Sequence, residues 1–492
     1  MNPEELLLQA VNRKQMVFRT VDVERLVEED HPARLIWDAV GKLDLSPFFE
    51  AIKSRKIVGG RPSHHPQLLI SVWAYAHSRG IGSAREIDRR FNYDPAFQWL
   101  TGMESINYHT LADFRVEKKE ELDKLFTHLL GMLSAAGLIS LDQVMVDGTK
   151  IKALASGKSF RREKKLREHL EQVRAQVEAL SDPYTEDRSP REKQARERGR
   201  REKQERLESA LEELKKLREQ KSGEKEKEEA RVSMSDPEAR NMKQACGGYA
   251  PSYNAQICTD GANGLIVDVE VTQAGNDFHQ LLPALDRVQE RMAKTPEEMI
   301  GDGGYTSREN VEKMAERQVE FVGSLGDNAN KANGDQQRFA VNLFVYNAEQ
   351  NCFLCPAGKR LEYERKEEKD GQTSYRYKAN KQDCQSCPLK QQCCPKNQRY
   401  GRSVTRTEET AAMLAFRAKM ATEEAQARYR RRAQIAEFPH AWIKAKIGLR
   451  QFHVRGLTKV KAELMWASFT FNLQTWIRLL KRKSLEASMA MG

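Results

Sequence analysis

The sequence predicts an α/β protein: a mixed sheet with flanking helices, joined to an N-terminal helical domain and carrying a coiled-coil insert and a cysteine-rich insert. Three observations predict it. Hydrophobic periodicity switches from helical to strand-like near residue 141. Strand-like and helical segments then follow in the order β-β-β-α-β-α-β, which suits helices packed on a mixed sheet. Two isolated acids, Asp147 in VMVDGTKI and Asp302 in EEMIGDGGY, stand at the mouths of apolar strands.

Residues 1–138 read as a helical domain. HPQLLISVWAYAHSRG (65–80) places apolar residues at helical spacing and stops at Gly80, and SAREIDRRF follows with Ser83 as N-cap and Glu86 in the capping-box position. YHTLADFRVEKKEELDKLFTHLLGML continues as helix. Short, basic, closely connected helices are compatible with a helix-turn-helix arrangement, so this domain is expected to bind DNA. A plain helical bundle is the alternative.

The sheet core begins with 139–157 and resumes at 233–326. QVMVDGTKIKALAS, YNAQICTD (253–260) and GLIVDVEVTQ (264–273) read as strands, with Gly261 to Asn263 turning between the last two. FHQLLPALDRVQERM (278–292) is helical, EEMIGD (297–302) strand-like, SRENVEKMAERQ (307–318) helical and VEFVGSL (319–325) strand-like. His279 and the pair Asn276–Asp277 stand at a helix start, where capping accounts for them. The final helices of the core occupy 405–480.

Two inserts interrupt this order. In 158–232, Leu166, Leu170, Val173, Val177 and Leu180 alternate spacings of four and three, and Leu207, Leu211, Leu214 and Leu217 follow beyond a turn-rich SDPYTEDRSP (181–190). An antiparallel coiled-coil hairpin follows from that pattern; a partly disordered charged helix is the alternative. The segment 327–404 holds Cys352-x2-Cys355 and Cys384-x2-Cys387, with 28 residues between the pairs, then Cys393 and Cys394. Paired CxxC turns suit a structural zinc held by four thiolates. Four of Cys352, Cys355, Cys384, Cys387 and Cys393 are expected to bind it; spare reduced thiols are the alternative.

Composition narrows the function. The 492 residues are 31% charged and carry a net charge of +11, with pI about 9.1 and mean hydropathy −0.72. A basic excess favours polyanions, because DNA releases counterions when cations bind it. The N-terminus MNPEELLLQAVNRKQ is too polar for a signal peptide, and no apolar run approaches the roughly 18 residues that span a bilayer. The chain is expected to be cytoplasmic and nucleoid-associated, with no membrane partner.

The third acid lies in YRRRAQIAEFPHAWIK (429–444). Glu437 stands there among Arg430, Arg431, Arg432 and Lys444, with Lys446 nearby. Isolated carboxylates among cations suit an enzyme that holds divalent metal against a phosphodiester. Lys444 lies two helical turns past Glu437, and Tyr429 eight residues before it, only slightly off the same face.

In this order the motifs resemble the DDE transposases of bacterial insertion sequences. DGTKIKALAS resembles their first-acid motif and GDGGYTSREN their second. SMSDPEARNMK with GGYAPSYNAQICTD resembles the approach to their second strand, and Tyr429-x2-Arg432 with Glu437-x6-Lys444 resembles their Tyr-Arg-Glu-Lys signature. HPARLIWDAV through NYHTLADFR resembles the family's helical DNA-binding region, and the cysteine insert resembles one common in the same branch. Four residues stand between Arg432 and Glu437, where the commonest form has three, so Arg431 and Arg430 compete with Arg432 for the arginine role.

The resemblance implies a ribonuclease H-like core and two Mg²⁺ (or Mn²⁺) ions held by Asp147, Asp302 and Glu437. It implies phosphate contacts from Tyr429, Arg432 (or Arg431) and Lys444. It implies cleavage at the inverted-repeat ends of a transposon, transfer of the freed 3′-hydroxyl into target DNA, and a homodimer that holds two ends together. A nuclease of the same fold without strand transfer, or a non-catalytic DNA-binding protein, are the rival functions.

Overall fold

The computed structural model describes residues 20–50, 62–178, 189–324, 341–369, 372–393 and 401–490, with residues 16, 52 and 339. Helices open the chain: α1 (Pro32–Gly41), α2 (Ser46–Glu50), α3 (Pro66–Ser78), α4 (Ala84–Arg90), α5 (Pro95–Thr101), α6 (Tyr108–Glu117) and α7 (Lys119–Ala135). Next come β1 (Gln143–Lys152), β2 (Phe160–Arg161), α8 (Glu163–Glu178), α9 (Pro190–Glu219), α10 (Glu224–Glu228), β3 (Val232–Ser233), β4 (Arg240–Lys243), β5 (Tyr249–Asp260) and β6 (Ile266–Thr272). Then follow α11 (Leu281–Met292), β7 (Glu298–Ile300), α12 (Arg308–Glu316) and β8 (Glu320–Val322). A second run of strands holds β9 (Val345–Asn347), β10 (Cys352–Leu354), β11 (Arg360–Lys369), β12 (Gln372–Ala379), α13 (Lys381–Gln385), α14 (Lys390–Cys393) and β13 (Ser403–Thr407). The chain closes with α15 (Ala411–Met420), α16 (Glu423–Ala445) and α17 (Leu457–Ala490).

The chain divides into two compact units: Met1–Ala135 with Ile151–Ser252 and Ala441–Gly492, and Ala136–Lys150 with Tyr253–His440. In the first, α1 and α3 both open on a His-Pro step. The imidazole Nδ1 of His31 or His65 accepts the N–H two residues on, and the proline occupies a position whose N–H would be unbonded anyway. Leu69 through His77 are all buried, so α3 is a core helix on every side rather than an amphipathic one. Ser83 stands at the N-cap of α4 but its hydroxyl makes no capping bond, so the capping box expected there is not formed.

By sequence, residues 405–480 are expected to close the sheet core. Residues from Ala441 onward fall in the first unit, and there α17 packs against α1, α3, α6 and α7. Trp466 on α17 donates to the Arg115 carbonyl (3.2 Å). Glu463 takes the Nδ1 of His453 at 2.7 Å and the guanidinium of Arg115 at 3.6 Å. Burial opposes ionisation of Glu463, but the His453 hydrogen bond and Arg115 outweigh it and hold the carboxyl below its ordinary range.

α8 and α9 pair antiparallel. Leu166, Leu170 and Val173 meet Leu207, Ala210 and Leu214, and Arg174 bridges to Glu208 (2.7 Å) while Glu163 meets Arg218. Most of the expected turn, together with Leu180, lies outside the described residues.

In the second unit β1, β7 and β8 are parallel neighbours, and β5 pairs antiparallel with β6. The six-stranded sheet runs β4-β5-β1-β7-β8, with β6 also on β5. Val144, Met145 and Val146 are all buried, as a strand covered on both faces requires. The β5–β6 turn forms where expected, and its left-handed residue is Gly264 (φ 67°). The cysteine-rich segment is a separate five-stranded antiparallel sheet, ordered β13-β12-β11-β10-β9, around Phe344, Phe353, Leu361, Tyr377 and Val404.

Candidate active site

Register brings the first two acids to one level of the sheet. Met145 on β1 pairs with Ile300 on β7. Asp147 and Asp302 each lie two residues past that pair, Asp147 within β1 and Asp302 just beyond the end of β7. Met145, Ile300 and Val322 form an apolar floor, and Ala436 of α16 packs on it with Tyr429 and Ile435 alongside. Side chains two apart along a strand share a face, so Asp147 rises on the face that α16 covers.

Helical spacing then decides what α16 turns toward Asp147. Arg432 and His440 lie four residues either side of Ala436, on the same stripe. The Arg432 Nη1 is 3.7 Å from one Asp147 oxygen and the His440 Nε2 is 3.6 Å from the other. His440 is 7% exposed. Glu437 stands about 100° round the helix from Ala436 and is exposed. Tyr429 lies about 80° from Glu437 and packs into the apolar floor, so the expectation that it nearly shares Glu437's face is corrected. Arg430 and Arg431 are exposed, and Lys444 is half-buried in the last turn of α16. The helix continues through Pro439, which removes one hydrogen bond from its ladder.

Asp277, read from sequence as a cap, does different work. α11 starts later, with Gln280 at its N-cap and no side-chain capping bond. The Asp277 Oδ1 accepts from the amides of Asn254 (2.8 Å) and Gln256 (2.6 Å), both buried on β5. The Gln256 oxygen in turn accepts from the Tyr305 hydroxyl. Tyr305 is fully buried, a packed aromatic. A signal for this cluster was present: two amides at i and i+2 in YNAQIC place polar groups on one face of an otherwise apolar strand. For His440 the sequence offers only its position three residues past Glu437.

Electrostatics follow from this crowding. Burial, with the neighbouring carboxylates Asp302 and Asp277 adding to it, pushes Asp147 up to about 6 against the opposing pull of Arg432. The Asp302 Oδ1 takes the Gly304 N–H at 2.7 Å. The hard carboxylate oxygens of Asp147 and Asp302 have the donor chemistry of a Mg²⁺ or Mn²⁺ site. Among the described residues no group of three His, Cys, Asp or Glu side chains is placed to hold an ion, and Glu437 stands on an exposed side of α16.

The same finding covers the cysteines. Cys355, Cys384 and Cys393 all border one small apolar core, and the Sγ atoms of Cys355 and Cys384 accept backbone N–H groups from Lys359 (3.3 Å) and Arg402 (3.4 Å). Phe353 of β10 faces that core, so its strand neighbour Cys352, also buried, turns to the other face. Cys387 is half-buried, and Cys394 lies outside the described residues.

Comparison with known families finds two matches. A transposase DDE domain matches residues 354–477, and a transposase domain (DUF772) matches residues 21–117. The first span contains Glu437 and not Asp147 or Asp302. No curated protein and no solved structure matches the chain.

Proposed function

We propose that this chain, identified by those two domains as a DDE transposase of the bacterial insertion-sequence type, cleaves DNA at the ends of its element and joins the freed 3′-hydroxyl to target DNA. The observation that carries the reading is the parallel β1–β7 register, which ends at Met145 and Ile300, two residues before Asp147 and Asp302, with α16 packed on that pair. Three parallel strands with an antiparallel β5–β6 pair beside them support a ribonuclease H-like core.

Asp147 and Asp302 would hold a divalent cation, with Glu437 as the third acid. Such a cation, when bound, activates water and stabilises charge on the departing oxygen. Arg432 neutralises Asp147 in the free protein. A scissile phosphate offers that guanidinium a bidentate partner, a stronger one than a carboxylate oxygen at 3.7 Å. Exposed Arg430 and Arg431 track the strand, and Lys444 contacts phosphate further along. His440 limits water around Asp147. Two copies would hold the two ends.

Asp147→Asn is expected to abolish cleavage of an end duplex while DNA binding persists, read on the same labelled substrate. Retained cleavage in Mg²⁺ removes Asp147 from the reaction. Supplying a pre-cut end to the parent protein separates the alternatives: cleavage without joining makes it a nuclease.

The cysteine segment is proposed to hold one structural zinc. Metal analysis should then return about one zinc per chain, lost on Cys384→Ser with Cys387→Ser. Metal-free protein of unchanged fold rejects that site.

A further inference from the structure

Asp277 stands between the two acid-bearing segments, and steric contacts show how closely. A Cβ added to Gly148, the residue after Asp147, would lie 2.5 Å from the Asp277 Oδ1 and 2.6 Å from the Gln256 Nε2. A Cβ on Gly304, two residues after Asp302, would lie 2.9 Å from the Asp302 Oδ1 and 3.6 Å from the Asp277 Cβ. Neither glycine has a positive φ, so their service here is space rather than backbone freedom. Asp277 thus excludes a side chain at position 148 and lies in ordinary contact distance of position 304.

What holds Asp277 there is a chain of buried hydrogen bonds. Asn254 and Gln256 grip one carboxylate oxygen, and Gln256 also accepts from Tyr305, whose backbone N–H is bonded to the Asp302 carbonyl at 3.1 Å. Asn254 and Gln256 are each 1% exposed and Tyr305 is 0%. Removing any member leaves an unpaired polar group in a low-dielectric setting, so the chain has one stable arrangement. It ties the Asp302 loop to β5, and β5 neighbours β1, which carries Asp147.

We propose that Asp277, clamped by Asn254 and Gln256, is a positioning residue that sets the separation of Asp147 and Asp302 for divalent-metal binding. This rests on the metal-dependent reading above. Asp277 acts through its hydrogen bonds and volume, as partners behind metal ligands commonly do.

The test measures Mn²⁺ affinity by calorimetry on the full-length protein, with circular dichroism to report folding. Asp277→Asn keeps shape and an accepting oxygen, and is expected to bind Mn²⁺ within about threefold of the parent. Asp277→Ala and Gln256→Leu are expected to weaken Mn²⁺ about 10–100-fold, the range for residues behind metal ligands, and to shift the Mn²⁺ concentration needed for half-maximal cleavage in parallel. Equal loss in Asp277→Asn and Asp277→Ala would overturn the proposal in favour of direct ligation. Unchanged affinity in folded Asp277→Ala and Gln256→Leu would overturn it outright. If the parent binds no Mn²⁺ at the Asp147 site, with Asp147→Asn identical to it, the metal-dependent reading itself fails.

Discussion

Asp147 shows the tension between folding and chemistry in a single side chain. Its carboxyl is pushed up to about 6 from an ordinary value near 3.8, so the folded protein retains a proton that the unfolded chain releases between about pH 4 and 6. Ionising Asp147 therefore opposes folding as pH rises through that window, and the penalty is absent below about pH 4, where both states are protonated. Asp147→Asn is expected to stabilise the second unit by about 1–3 kcal/mol at pH 8 in chelator, and by nothing at pH 4. Hydrogen exchange of the β1 and β7 amides reads the difference, and a gain that ignores pH would contradict the origin assigned to it. The same burial beside other carboxylates that costs stability creates demand for a cation. Asp277 makes the point from the other side: in sequence it reads as a helix cap, and only contact with Asn254 and Gln256 across 20 and more residues reveals its partners.

At the scale of elements, period and register carry most of the information. α16 is legible as a helix from its sequence, and Glu437 as its isolated acid. Which stripe faces the sheet was not legible, because Tyr429, Ile435 and Ala436 compete with the Arg430–Arg432 run and only packing on Met145 and Ile300 ranks them. The α8–α9 hairpin was foretold by leucine spacing, yet its anchorage was not. Glu213, 6% exposed, bonds Arg240 at 2.6 Å and thereby ties α9 to β4. Glu213→Ala should strip α9 of hydrogen-exchange protection worth about 2–4 kcal/mol, since it leaves Arg240 half-buried without its partner. The paired change Glu213→Leu with Arg240→Met should restore much of it. Full protection in the single variant would show the ion pair to be incidental.

Across the whole molecule, the family matches make DNA the partner class, and among the described residues no helix is long and apolar enough to cross a membrane. Basic charge then has a measurable consequence. Affinity for duplex DNA is expected to fall steeply with salt, with each phosphate contact adding about 0.9 to the log–log slope. Arg430→Ala with Arg431→Ala should flatten that slope by about 2 if both touch phosphates. An unchanged slope would place those arginines off the DNA path. The position of α17 also belongs to this scale. Its alternating apolar and basic residues mark a long helix, but the sequence names no docking surface. Trp466 and Glu463 find theirs more than 300 positions upstream, at Arg115.

Local chemistry determined much on its own: the helical N-terminal region, the order of β1, β5, β6, α11, β7, α12 and β8, though not the edge strand β4, the leucine seam of the hairpin, and Asp302 just past its strand. Each depends on residues within a few turns or one strand of one another, where periodicity is a direct record of burial. Tertiary structure alone decided that Asp147 and Asp302 share one level of the sheet, that Arg432 and His440 rather than Glu437 face Asp147 in the free protein, and that Asp277 is wedged beside two glycines. Those outcomes depend on register between strands 155 residues apart and on which helical face wins the core. Such choices are settled by packing energy summed over the fold, and no single segment carries them.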